Sequence, residues 1–124
     1  MTDFQRTYRG NCHCSAVRFE IETGPSTVEL TTCNCTLCAK KNALMVQVPD
    51  THFRLLVGEE HLSTYVWNTG VARHHFCAKC GIYTFHRKRS APDSFGINVF
   101  CLDGFDTTTL PTRRANGITM SVAD

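Results

Sequence analysis

Cys77-Ala78-Lys79-Cys80-Gly81 has the form of a metal-binding turn. The spacing lets both sulfurs face one ion, and Gly81 suits the left-handed conformation that often closes such a turn. Two sulfurs make half a tetrahedral site. Cys12-His13-Cys14, far upstream, is the obvious other half. Four thiolates from two short pairs give a closed shell, which is the structural class of zinc site and adds metal-binding free energy to folding. A redox C-x-x-C, a ligand set that includes His13 and an iron–sulfur site are the competing readings.

The run Cys33-Asn34-Cys35-Thr36-Leu37-Cys38 is different. Three thiolates can wrap one ion from one side, and no second pair is left to complete the shell. Three protein ligands with an exchangeable fourth position is the catalytic-zinc pattern. Three thiolates also donate much charge, so the ion is a poor activator of water and favours a soft incoming ligand such as a thiolate. The eighth cysteine, Cys101, would close this site. Among Ile97, Val99 and Leu102, a lone cysteine reads more readily as a small buried hydrophobe.

Several other residues lie near these clusters in sequence. His74 and His75 are candidate proton carriers, although a structural role carries more weight for each. Lys40, Lys41 and Arg73 are the nearest cations, with solubility as their plainer role. Trp67, Phe85 and Phe95 occupy alternating patterns and read as core.

The elements that must position these groups have a period of two. Val17, Phe19 and Ile21 alternate with charged residues, and Leu44, Val46 and Val48 repeat the pattern. Leu62–Trp67 and Ile82–His86 alternate likewise, and Gly96–Leu102 reads as one continuous strand. Turn signals such as Pro49-Asp50, Gly58-Glu59-Glu60 and Asp103-Gly104 separate the runs, which predicts an all-β fold of antiparallel hairpins. One helical turn is expected, from Thr36 to Asn42. Residues 111–124 read as a tail with one final strand.

The 124 residues make one domain, 1–124, with a core over about 8–110. The formal charge is +2. Seven bound thiolates and two dications would make the protein slightly acidic, which argues against nucleic acid as a partner. Arg87-Lys88-Arg89 reads as a solvated turn. The apolar runs are too short for a membrane span, and residues 1–11 lack the apolar stretch of a secretory leader. Clustered thiols without such a leader point to a reducing, cytoplasmic setting, and a disulfide reading is weakest for the strained C-x-C ring. Nothing in the sequence fixes an oligomeric state.

Together, Gly10–Phe19, Cys33–Lys40, Phe76–Gly81 and Ile97–Asp103 resemble the glutathione-dependent formaldehyde-activating enzyme family, which also includes centromere protein V. The resemblance runs from Tyr8 to about Leu110. It implies a β-tent (Mss-like) fold of stacked antiparallel sheets. It implies a structural zinc on Cys12, Cys14, Cys77 and Cys80 and a catalytic zinc on Cys33, Cys35 and Cys38. The family reaction joins glutathione and formaldehyde as S-hydroxymethylglutathione, so the expected activity is that of a carbon–sulfur lyase acting on a small-molecule thiol and aldehyde. Glutathione carries two carboxylates, for which Lys40 and Arg73 are the candidate cations. The rival reading is a zinc-stabilised binding module without catalysis.

Overall fold

The computed structural model describes residues 6–23, 30–33, 36–41, 43–66, 73–87, 93–108 and 111–115. Its strands are β1 (Arg6–Asn11), β2 (Arg18–Thr23), β3 (Leu30–Cys33), β4 (Met45–Pro49) and β5 (Phe53–Val57), followed by β6 (Leu62–Tyr65), β7 (Arg73–Cys77), β8 (Tyr83–Arg87), β9 (Ser94–Asn98) and β10 (Thr112–Ala115). The helix α1 spans Thr36–Lys41, which is the turn expected after the three-cysteine run. The fold is all-β, as expected. A three-stranded sheet has the order β1-β2-β5, and a seven-stranded sheet has the order β10-β3-β4-β9-β8-β7-β6.

The alternating pattern of β2 puts Phe19 and Ile21 inside. They meet Val46, Val48, Phe85, Phe95 and Ile97 of the large sheet in the main core. The aromatic contacts concentrate there. Phe19, Phe85 and Phe95 each lie within 6 Å of another ring in the group, and Phe53 lies 4.5 Å from Phe85 and 4.6 Å from Phe95. In the middle of the large sheet, β8 is covered on both faces, so Thr84, Phe85 and His86 are all buried. Phe85 and Phe95 are therefore core residues, as read; Trp67 lies outside the described residues.

Two features depart from the sequence reading. β10 pairs with β3 in parallel, because the chain end returns alongside β3 rather than forming a hairpin. The strand expected over Gly96–Leu102 stops at Asn98. The Asn98 side chain accepts a hydrogen bond from the Phe100 backbone N–H, and Val99–Cys101 forms a single helical turn. That turn buries Val99 and Cys101 together while Phe100 is exposed, an arrangement strict alternation cannot produce. At the edge of the small sheet, β5 has Phe53 and Leu55 half-buried against the main core, with Leu56 and Val57 exposed.

Gly10 sits opposite Phe19 in the β1–β2 register, and the aromatic ring lies over its backbone. A Cβ there would fall 2.4 Å from Phe19 Cζ. Moving a fully buried ring costs packing, so Gly10→Ala is expected to lower stability by about 1–3 kcal/mol. Denaturant titration checks this, and an unchanged midpoint would contradict the close packing.

Candidate metal centre and its pocket

The two halves of the first site are built by different sheets. After β1, Cys12 begins a tight loop. Its N–H donates to Val17 O, the Ser15 N–H returns to Cys12 O, and the Val17 N–H points at Cys12 Sγ at 3.4 Å. Ser15 takes a positive φ of 65° to make this turn. After β7, the Cys77 N–H donates to Ile82 O and the Gly81 N–H to Cys77 O, with the Lys79 N–H 3.3 Å from Cys77 Sγ. Gly81 has φ 79°, the left-handed conformation expected of it. The backbone thus aims N–H dipoles at sulfurs, as thiolates require.

The four sulfurs of Cys12, Cys14, Cys77 and Cys80 lie within 4.8 Å of one another. Metal–sulfur bonds of about 2.3 Å in a tetrahedron place the sulfurs about 3.8 Å apart. Cys14 Sγ lies 3.7 Å from both Cys12 Sγ and Cys77 Sγ. The spacing and the donor set fit one zinc ion. His13 is exposed and stands apart from this group, so the ligand set that includes it is not the one assembled. Cys12 and Cys77 are buried with Val17, while Cys14 is exposed.

Without a cation the sulfurs cannot all ionise together. Burial opposes ionisation of Cys80, but the Cys14 and Ile82 N–H groups and the neighbouring thiols bring it down to about 6. The Ala16 N–H favours the Cys14 thiolate, yet burial and the sulfurs of Cys77, Cys12 and Cys80 drive it up to about 11. One thiolate forms readily and the rest need a dication, so metal binding must release protons.

Of the second cysteine run, Cys35 and the Cys33 side chain lie outside the described residues. Cys38 is buried on α1, packed with Ala43, Met45, Leu37 and Tyr83. Cys101 belongs to the main core. Its Sγ–H points to Tyr83 O at 3.6 Å, and burial raises its pKa to about 12, so it stays a protonated thiol.

Against α1 lies an open pocket of about 410 Å³. Leu37 and Lys41 of α1 form one wall, and Phe76 and Gly81, which flank the Cys77–Cys80 turn, form another. His74, Tyr83 and Tyr65 complete it. Lys41 Nζ is 3.0 Å from His74 Nδ1 and 3.6 Å from the centre of the Tyr83 ring. His74 faces His86 across the β7–β8 pairing, and the two rings stack 5.0 Å apart. The Tyr83 hydroxyl and His86 Nδ1 are hydrogen-bond partners. Burial first, and then the Lys41 charge, lower His74 to about 4. It is therefore a neutral ring whose Nδ1 accepts from lysine, leaving its proton on Nε2.

The other residues considered from the sequence lie elsewhere. His75 points to the opposite face, where it bonds Thr64 Oγ1 at 2.9 Å and packs 4.9 Å from the Phe85 ring. Lys40 and Arg73 are exposed and are not among the residues lining the pocket. Sequence reasoning did not single out Tyr83 or His86. His86 comes to lie directly opposite His74 only once β7 and β8 pair.

If the four sulfurs hold a structural zinc, Cys77→Ser is expected to lose one metal ion per chain and several degrees of thermal stability, whereas His13→Ala keeps both metal and stability. Metal analysis beside thermal denaturation checks this. A Cys77→Ser protein with unchanged melting and metal content would contradict the assignment.

Comparison with known proteins agrees with this geometry. A family model described as glutathione-dependent formaldehyde-activating enzyme matches residues 7–115. The crystal structure of a Rhodobacter sphaeroides protein is similar to this chain with a TM-score of 0.74 and 34% sequence identity, over 85% of this chain and 99% of that chain. From the sulfur cluster outward, then, fold and sequence agree, and the chain belongs to the glutathione-dependent formaldehyde-activating enzyme family.

Proposed function

We propose that the protein is a zinc-dependent enzyme that makes and breaks the carbon–sulfur bond of a thiol–aldehyde adduct, as in S-hydroxymethylglutathione formation. The observation that carries this reading is the placement of the pocket. It lies against the helix that bears Cys38, and a lysine, a neutral histidine and a tyrosine converge on it. A purely structural module has no need of that convergence.

In this reading Cys33, Cys35 and Cys38 would hold the second zinc, and the chemistry it would supply is stabilisation of a substrate thiolate. The reaction balances without an oxidant. A sulfur–carbon bond forms, the carbonyl π pair moves to oxygen, and the proton lost by the thiol ends on that oxygen. The chain's own residues stabilise the charge that builds there. Lys41 is cationic, and His74 offers its Nε2–H as a fixed donor because Nδ1 is already engaged. Leu37, Phe76 and Tyr65 give the pocket apolar walls. At a pKa of about 4 His74 does not act as the acid that supplies the proton at neutral pH, and its role is to hold the oxyanion. Lys40 and Arg73 are the cations proposed for the outlying carboxylates of glutathione.

NMR exchange spectroscopy on an equilibrated glutathione–formaldehyde mixture tests this. The zinc-loaded protein should speed interconversion. Cys35→Ser should lose one zinc and the acceleration while keeping the fold. His74→Gln should keep both zinc ions and lose about a hundredfold in rate. No acceleration by protein carrying two zinc ions would turn the reading toward a non-catalytic binding module.

A further inference from the structure

His74 offers its Nε2–H to the reacting oxygen in the reading above, and a donor serves there only if it is held in place. Lys41 holds one edge of the ring, at Nδ1. A single hydrogen bond leaves a ring free to swing about that contact. The second restraint comes from behind. The His86 ring lies within 19° of parallel to His74, with ring centres 5.0 Å apart, and His86 is not among the residues lining the pocket.

His86 is itself seated by β8 and β9. In a regular strand, residues of odd separation such as Tyr83 and His86 would face opposite ways. Between the pairs His75–Phe85 and Phe76–Tyr83, however, β8 carries one residue more than β7, Thr84. The Thr84 hydroxyl donates to His75 O at 3.1 Å. This bulge turns Tyr83 to the face of Phe76 and His74, where all three line the pocket. There the Tyr83 hydroxyl meets His86 Nδ1. The same hydroxyl lies 3.5 Å from Met45 Sδ and 3.4 Å from Gly96 O, so it has a fixed seat of its own. Gly96 on β9 pairs with His86 and leaves the space its ring fills, since a Cβ there would fall 2.3 Å from His86 Cε1.

We propose that Tyr83 and His86 are positioning residues that fix the plane of the His74 ring, Tyr83 through its hydroxyl and His86 through stacking. The inference rests on the reading of His74 as the group that holds the oxyanion. Both residues act through His74.

Tyr83→Phe tests this, because it keeps the ring beneath Lys41 and removes the hydroxyl alone. In the glutathione–formaldehyde exchange assay the variant should keep both zinc ions and the half-saturating glutathione concentration and lose about tenfold in rate. His86→Leu, which removes the stacked ring, should lose at least as much. In a His74→Gln background neither change should cost more than about twofold, since a group that acts through His74 has nothing left to act on. Long-range proton–nitrogen spectra of the histidine rings give a readout that needs no activity. His74 should show a bare Nδ1 and a protonated Nε2 in the wild type, and both signals should move toward the average of exchanging tautomers in Tyr83→Phe. Full losses that persist in the His74→Gln background, loss of zinc, a change confined to half-saturation, or unchanged His74 ring signals in Tyr83→Phe would overturn the proposal. The failures are separable. An active wild type whose variant losses simply add removes only this inference. A wild type that speeds no exchange removes the enzymatic reading, and the ring signals then decide the positioning by themselves.

Discussion

Everything in this structure depends on four sulfurs meeting where the two sheets join. Cys12 and Cys14 arrive on the loop between β1 and β2 of the small sheet, and Cys77 and Cys80 on the turn between β7 and β8 of the large one. The loops cannot drift apart if their thiolates share an ion, and the thiolates cannot stay together without one, since like charges repel at these distances. Beneath the sulfurs, Val17, Leu55 and Leu62 continue the seam as apolar packing. The sulfur cluster thus closes one end of the core, and the cluster of aromatic rings around Phe85 fills the rest. A chain of this size has a limited core, and a metal staple of this kind adds to what burial supplies.

The same sulfur cluster borders the pocket. Phe76 and Gly81 stand immediately beside metal-site cysteines, so the wall they form is as fixed as the turn itself. The opposite wall belongs to α1, which is packed down through Cys38 against Ala43, Met45 and Tyr83. Strand alternation then sorts the histidines. His74 turns into the pocket and stacks on His86, whereas His75 turns toward Thr64 and Phe85. Two adjacent histidines acquire unrelated roles because the period of a strand is two. Burial keeps His74 neutral and Lys41 takes its Nδ1, so the orientation of the ring proton follows from packing rather than from pH.

Much of this was legible in the sequence, for identifiable reasons. The four cysteines that could hold one metal ion, Cys12, Cys14, Cys77 and Cys80, announce themselves because C-x-C and C-x-x-C spacings satisfy a geometric requirement that few other roles impose. The half-buried strand at Phe19 and Ile21 reads directly from alternation. Legibility fails where tertiary context decides. The turn at Val99–Cys101 follows from the cap made by Asn98, a short-range hydrogen bond that alternation does not reveal. The parallel pairing of β10 with β3 is a matter of where the chain end returns. The pocket cation is the hardest case. Lys40 and Lys41 are neighbours in sequence, and only the direction of the last turn of α1 sends Lys41 to His74 and leaves Lys40 in solvent.

The central claim is that a second metal, held next to the pocket, keeps a coordination position open to a substrate thiol. Cobalt substitution followed by thiol titration tests it most directly, because cobalt–thiolate charge-transfer absorption reports each sulfur bound. Two cobalt ions per chain are predicted, with one spectrum fixed by four protein sulfurs and the other changing as added thiol occupies the open position. Two ions whose spectra both ignore thiol, or a single ion per chain, would contradict the account.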